Sequence, residues 1–168
     1  MTAKKLLFSG LCALALMACS AGLLSCNDTD DGSYVAPITQ YEKVGGQWLL
    51  NSITQVDETN QKTMDLTSNF DFDSFAITLN TDDKGQPTTF QVDGTAPALL
   101  PTSGTWKLAN PFVNADGSSA VIILNDKVNL TVTSMPGSQK VMEFKLTRKQ
   151  NGKAFVSYVY NLSPVTTE

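Results

Sequence analysis

VMEFKLTRKQNGKAFVSYVYNL, residues 141–162, decides the fold. Met142, Phe144 and Leu146 alternate with Glu143, Lys145 and Thr147, a period of two that puts the apolar residues on one face of a strand. A second run follows from Ala154 to Leu162. Asn151-Gly152 stands between them, and both residues tolerate the positive φ of a tight hairpin turn, so the two runs form an antiparallel pair. Upstream, Val128, Leu130 and Val132 alternate with Asn129, Thr131 and Thr133 after a turn at Asn125-Asp126. Pro136-Gly137 predicts a type II turn, with Gly at positive φ. Ala120 to Leu124 is continuous and β-branched, which predicts a strand that is buried on both faces or central. Trp106 and Leu108, then Phe90 and Val92, then Phe75, Ile77 and Leu79 show the same alternation. The first run, Gln47 to Val56, carries Trp48, Leu50, Ser52 and Thr54 on one face. Residues 57–73, with Met64, Leu66, Phe70 and Phe72, read as irregular strand or a short helical turn. Connections are short except the loop 94–103. Eight such strands predict an all-β, antiparallel, up-and-down barrel, because closure removes exposed sheet edges.

The barrel starts late in the chain. Lys4 and Lys5 precede an apolar stretch from Leu6 to Leu24, the layout of a secretory signal. Leu23-Leu24-Ser25-Cys26 then gives two apolar residues, one small residue and a cysteine, and resembles a bacterial lipobox. The resemblance implies cleavage before Cys26 and acylation of its thiol. Leu16-Met17-Ala18-Cys19 matches the same pattern, but Cys19 is followed by more apolar sequence, whereas Cys26 opens a polar, acidic segment. A membrane-spanning segment is the rival for the apolar run. Cys12, Ser20 and Gly22 interrupt that run, and Asn27-Asp28-Thr29-Asp30-Asp31 replaces the basic flank that a cytoplasmic-side anchor carries. Residues 1–25 are thus expected as signal peptide, 26–43 as a flexible acidic tether and 44–168 as the barrel domain.

Loss of residues 1–25 leaves 143 of 168 residues, enough for one core. Ten basic residues then face 16 acidic ones, a formal charge of −6. An acidic chain without a basic cluster is no partner for nucleic acid or for anionic head groups, so the membrane is reached through acyl chains on Cys26. With no histidine in the sequence and one cysteine left for lipidation, catalytic triads, Cys-His pairs, His-ligated zinc and disulfides are excluded. No metal, cofactor or catalytic residue is expected.

Val44-Gly45-Gly46-Gln47-Trp48 resembles the Gly-x-Trp start of lipocalins. With Ser103-Gly104-Thr105-Trp106 and the lipobox, the chain resembles uncharacterised lipocalin-like lipoproteins of Bacteroidetes. The resemblance covers residues 44–162. It implies an eight-stranded barrel in which Trp48, introduced by Gly46, plugs the closed end under a basic residue from a late strand. Arg148, the only arginine, matches that partner and lies in phase with Leu146. The acidic residues after Cys26 resemble the signal that sends such lipoproteins to the outer surface, which implies the outer membrane.

Candidate chemistry is sparse. Asp71 and Asp73, two apart on a strand, would share a face at glycosidase-like spacing, but a solvated face opposite the aromatic face of Phe70, Phe72 and Phe75 explains them fully. Asn80 to Gly85 loosely matches a calcium loop, yet Lys84 and the lack of a closing Glu oppose it. The loop Ala96-Pro97-Ala98-Leu99-Leu100-Pro101 is unusually apolar for a connection. Leu99 and Leu100, with Trp106 and Phe112 nearby, either form a lid over a mouth that admits a small apolar ligand or cap a filled barrel. The expected function is a lipid-anchored envelope binding module for a small hydrophobic or amphipathic ligand. The alternative is a structural or interaction lipoprotein whose filled barrel docks on an envelope protein or glycan, the tryptophans serving as glycan platforms if exposed. A hydrolase is a third possibility, and a fimbrial β-sandwich is the rival fold.

Overall fold

The computed structural model describes residues 39–138 and 140–165. The expected signal segment, Cys19, Cys26 and the expected tether up to residue 38 lie outside the described residues; the last part of the stretch expected as flexible tether, 40–43, is instead helical. The chain enters through a short helix α1 (Gln40–Val44), capped by the Thr39 hydroxyl, which accepts from the Glu42 N–H. Nine strands follow among the described residues: β1 (Gly46–Asp57), β2 (Thr63–Asp65), β3 (Ala76–Thr81), β4 (Pro87–Asp93), β5 (Ser103–Leu108), β6 (Val121–Leu124), β7 (Val128–Ser134), β8 (Met142–Gln150) and β9 (Lys153–Pro164). Each of β3 to β8 pairs antiparallel with the next, β1 pairs with β3, and β9 returns to pair with β1. The closure runs from Trp48↔Pro164 to Asp57↔Val156. β1 and β3–β9 therefore form an eight-stranded, antiparallel, up-and-down barrel, the architecture expected from the alternating runs. Short β2 pairs with the far half of β1 beyond the β3 contact.

Both expected hairpin turns form, with Asn125, Asp126, Asn151 and Gly152 all at positive φ. The type II turn at Pro136-Gly137 does not: Gly137 lacks positive φ, and β7 and β8 are joined by a longer connection. Two strand expectations also change. A bulge between Leu50 and Ser52 shifts the phase of β1, so that fully buried Ile53 takes the inward place expected for Ser52 and Thr54. In β6, Ile122 and Leu124 are buried while Val121 and Ile123 are only half-buried, so the strand is covered on one face.

α1 closes one end. Val44 is fully buried, Trp48 lies beneath the helix, and the indole Nε1–H of Trp48 donates to the Val44 carbonyl at 2.8 Å. The barrel interior is filled rather than hollow at mid-height. Phe144 stacks on Tyr160 with ring centroids 4.9 Å apart, and Phe75 lies 5.1 Å from Tyr160 on its other contact. The opposite end, where β1, β4, β6 and β8 finish, is the mouth.

Candidate functional site

Two connections fold over the mouth. The first runs from β2 through a 3-10 turn (Phe72–Ser74) to β3. It is pinned to β1 by Leu66 N–H donating to Ile53 O at 2.9 Å and Ile53 N–H donating to the Thr67 hydroxyl at 3.0 Å. The Asp65 carboxylate accepts from both the hydroxyl and the N–H of Thr67, and these bonds hold its pKa below the ordinary value. Phe70 and Asp71 follow at φ 59° and 57°, a left-handed pair that a bulky aromatic seldom adopts. The second connection is the loop between β4 and β5. Its start is tied to the first by the Thr95 N–H donating to Ser74 Oγ at 2.9 Å, and its crest by Arg148 Nη2 donating to the Leu99 carbonyl at 2.6 Å.

Between them lies a pocket of about 290 Å³. Leu66, Phe72, Leu99 and Tyr158 form its wall, and Met64 and Phe70 stand at the rim, 59% and 66% exposed. Gln55 supplies a polar contact in an otherwise apolar lining. This arrangement carries one titratable side chain, Tyr158. It can exclude water from an apolar surface and offer a few polar atoms for orientation.

The residues expected to form the site do not converge. Leu99 lines the pocket, while Leu100 turns into the core at 5% exposure. Trp106 lies toward the α1 end: its Nε1–H donates to Asn80 O at 2.7 Å and its ring meets Tyr41 edge-on. At 3% exposure, neither tryptophan can serve as a glycan platform. Phe112 sits 66% exposed on the β5–β6 connection, beyond Pro111, whose carbonyl accepts from Gln40 of α1. Trp106 and Phe112 were expected beside the loop at 94–103; the strand directions instead carry them toward the closed end.

Arg148 does not cover Trp48. Trp48 stands opposite Pro164 on β9 and Arg148 opposite Val156, so the two occupy different ends of the barrel. Gly46 takes φ 112° ahead of Trp48. Asp71 precedes and Asp73 lies within the 3-10 turn, so the shared strand face expected for them does not exist. Asp82 uses one carboxylate oxygen to accept from the N–H groups of Lys84 and Gln86, closing the β3–β4 turn. Among the described residues, no three His, Cys, Asp or Glu side chains gather as a metal site. Phe70, Phe72, Met64 and Tyr158 were not expected in a site. The available signal was the density of large apolar residues in a stretch, 57–73, with no regular period.

No curated protein matches the chain. Among solved structures it is similar to lobster apocrustacyanin A1, at 12% identity and a TM-score of 0.35, covering 76% of this chain. The match spans 62% of the crustacyanin chain, less than two thirds of its length. A family model described as a domain of unknown function, DUF5004, matches residues 25–163, and the chain belongs to that family.

Proposed function

We propose that the protein is a lipid-anchored binding module of the outer membrane that holds a small hydrophobic or amphipathic ligand at the barrel mouth. The observation that carries the ligand is the mouth pocket, about 290 Å³ with apolar walls, near the lower end of the range for small-molecule sites. The strained, exposed Phe70 at its rim supports the same reading, because a left-handed bulky residue survives only where its surroundings hold it there. Leu23-Leu24-Ser25-Cys26 and the acidic residues after it support the anchor and the outward-facing location. The protein acts by binding and needs no cofactor.

The filled interior supports the alternative of an interaction protein docking on another envelope component. One titration separates the two. The uncharged probe N-phenyl-1-naphthylamine is expected to brighten on the wild-type barrel. Leu99→Asp, which puts a charge in the apolar wall, is expected to weaken binding about tenfold, equivalent to about 1.4 kcal/mol. No binding by the wild type, or equal binding by the variant, would move the function to the outer surface.

A further inference from the structure

We propose that a second site, the wedge between β7 and β8 at the mouth end, binds a small organic carboxylate. The β7–β8 ladder runs inward from Ser134↔Glu143 and stops at Leu130↔Leu146. Each strand nevertheless stays paired in its own hairpin, β6–β7 down to Leu124↔Val128 and β8–β9 down to Gln150↔Lys153. The two hairpins therefore part. The sequence supplies the reason: continuing the same register would set Lys127 directly opposite Lys149, and facing like charges destabilise a strand pair. The β8–β9 pairing shifts register at the same point, between Arg148 and Lys149.

The parting leaves a cavity of about 430 Å³. Val128 and Leu146 form an apolar floor, Lys127, Arg148 and Lys149 ring it with positive charge, and Thr147 adds a hydroxyl. No carboxylate lines it. Asp126, the residue before Lys127, pairs with Lys107 at 2.5 Å, and Glu58 pairs with Lys145 at 2.6 Å. Lys127, Arg148 and Lys149 have no ion pair among the described residues, in a chain with more acidic than basic residues. Past Leu130 and Leu146 the facing backbone groups also lack ladder partners across the gap. An oxyanion placed there meets the free ammonium groups of Lys127 and Lys149 beside Arg148, whose Nη2 already donates to the Leu99 carbonyl, and its apolar body covers Val128 and Leu146. Plain inorganic anions would leave that floor wet. The wedge shares no lining residue with the mouth pocket; Arg148 touches both through the Leu99 carbonyl, and the proposal does not rest on the function proposed above.

The test is an amide NMR titration at low salt with 2-naphthoate and its neutral counterpart 2-naphthylmethanol. Naphthoate is expected to shift the Asn129 and Thr147 amides, and to bind more weakly as salt is raised. The double variant Lys127→Gln/Lys149→Gln leaves the mouth untouched and is expected to weaken naphthoate at least about fivefold. Equal shifts from the neutral compound, unchanged affinity in the double variant, or shifts confined to mouth residues would each overturn the site. Inorganic phosphate binding as tightly as naphthoate would overturn the assignment of an organic ligand.

Discussion

The Tyr160 hydroxyl is fully buried and finds no hydrogen-bond partner among the described residues. Its ring is the middle member of the contact series Phe75, Tyr160, Phe144. Burial raises its pKa well above the ordinary value of 10, the charge of Tyr158 adds to this, and Arg148 opposes it. The folded pKa therefore exceeds the unfolded one, so the associated stability is full below about pH 10 and falls as pH climbs from there toward the folded pKa. Tyr160→Phe removes both the orphaned hydroxyl and this titration. The variant is expected to be about 1 kcal/mol more stable at neutral pH, and urea midpoints at pH 7 and pH 11 should show its advantage growing with pH. A lower midpoint at pH 7 would reveal a partner for the hydroxyl. Position 160 was legible as a strand residue but not as a buried polar one, because alternation reports the face and not what meets it. The same limit hid the Asn125 side chain. It accepts from the Thr105 N–H and donates to the Ser103 carbonyl, filling the space that a Cβ on Gly104 would need.

At the scale of elements, the alternating runs located the barrel strands and both hairpin turns, since each signal is local. The bulge at Leu50, the parting of β7 from β8 and the fold of residues 57–73 were not legible, because each answers to a neighbour distant in sequence. Arg148 shows this most clearly. Its phase along β8 pointed inward, but its place near the mouth end of β8 decided its partner, which is the Leu99 carbonyl and not an indole. Arg148 is thus a strap on the β4–β5 loop. Arg148→Ala is expected to speed hydrogen exchange of the Leu99 and Leu100 amides about tenfold, the equivalent of losing about 1–1.5 kcal/mol from a charge-assisted bond. Exchange in β1 and β9 should stay as it is. Uniformly faster exchange across the barrel would mean that the residue supports the fold as a whole.

At the scale of the molecule, whether an eight-stranded barrel is solid or hollow depends on the volumes of side chains from strands far apart in sequence, which no single run reveals. Here Phe144 and Tyr160 face each other across the β8–β9 hairpin, and Phe75, at the entry to β3, reaches Tyr160 because β9 closes on β1. On the function proposed above, that contact leaves a ligand the mouth rather than the centre. Removing the middle of the plug should reverse this. Phe144→Ala deletes a fully buried ring and is expected to cost about 3–5 kcal/mol, leaving a cavity against the ring of Tyr160. Benzene or indole should then raise the melting temperature of the variant, through binding to the folded state alone, and leave that of the wild type unchanged. An equal rise in the wild type would mean that the native barrel already admits such molecules past its aromatic contacts. The ligand site would then belong to the barrel interior and not to the pocket under Leu99 and Phe72.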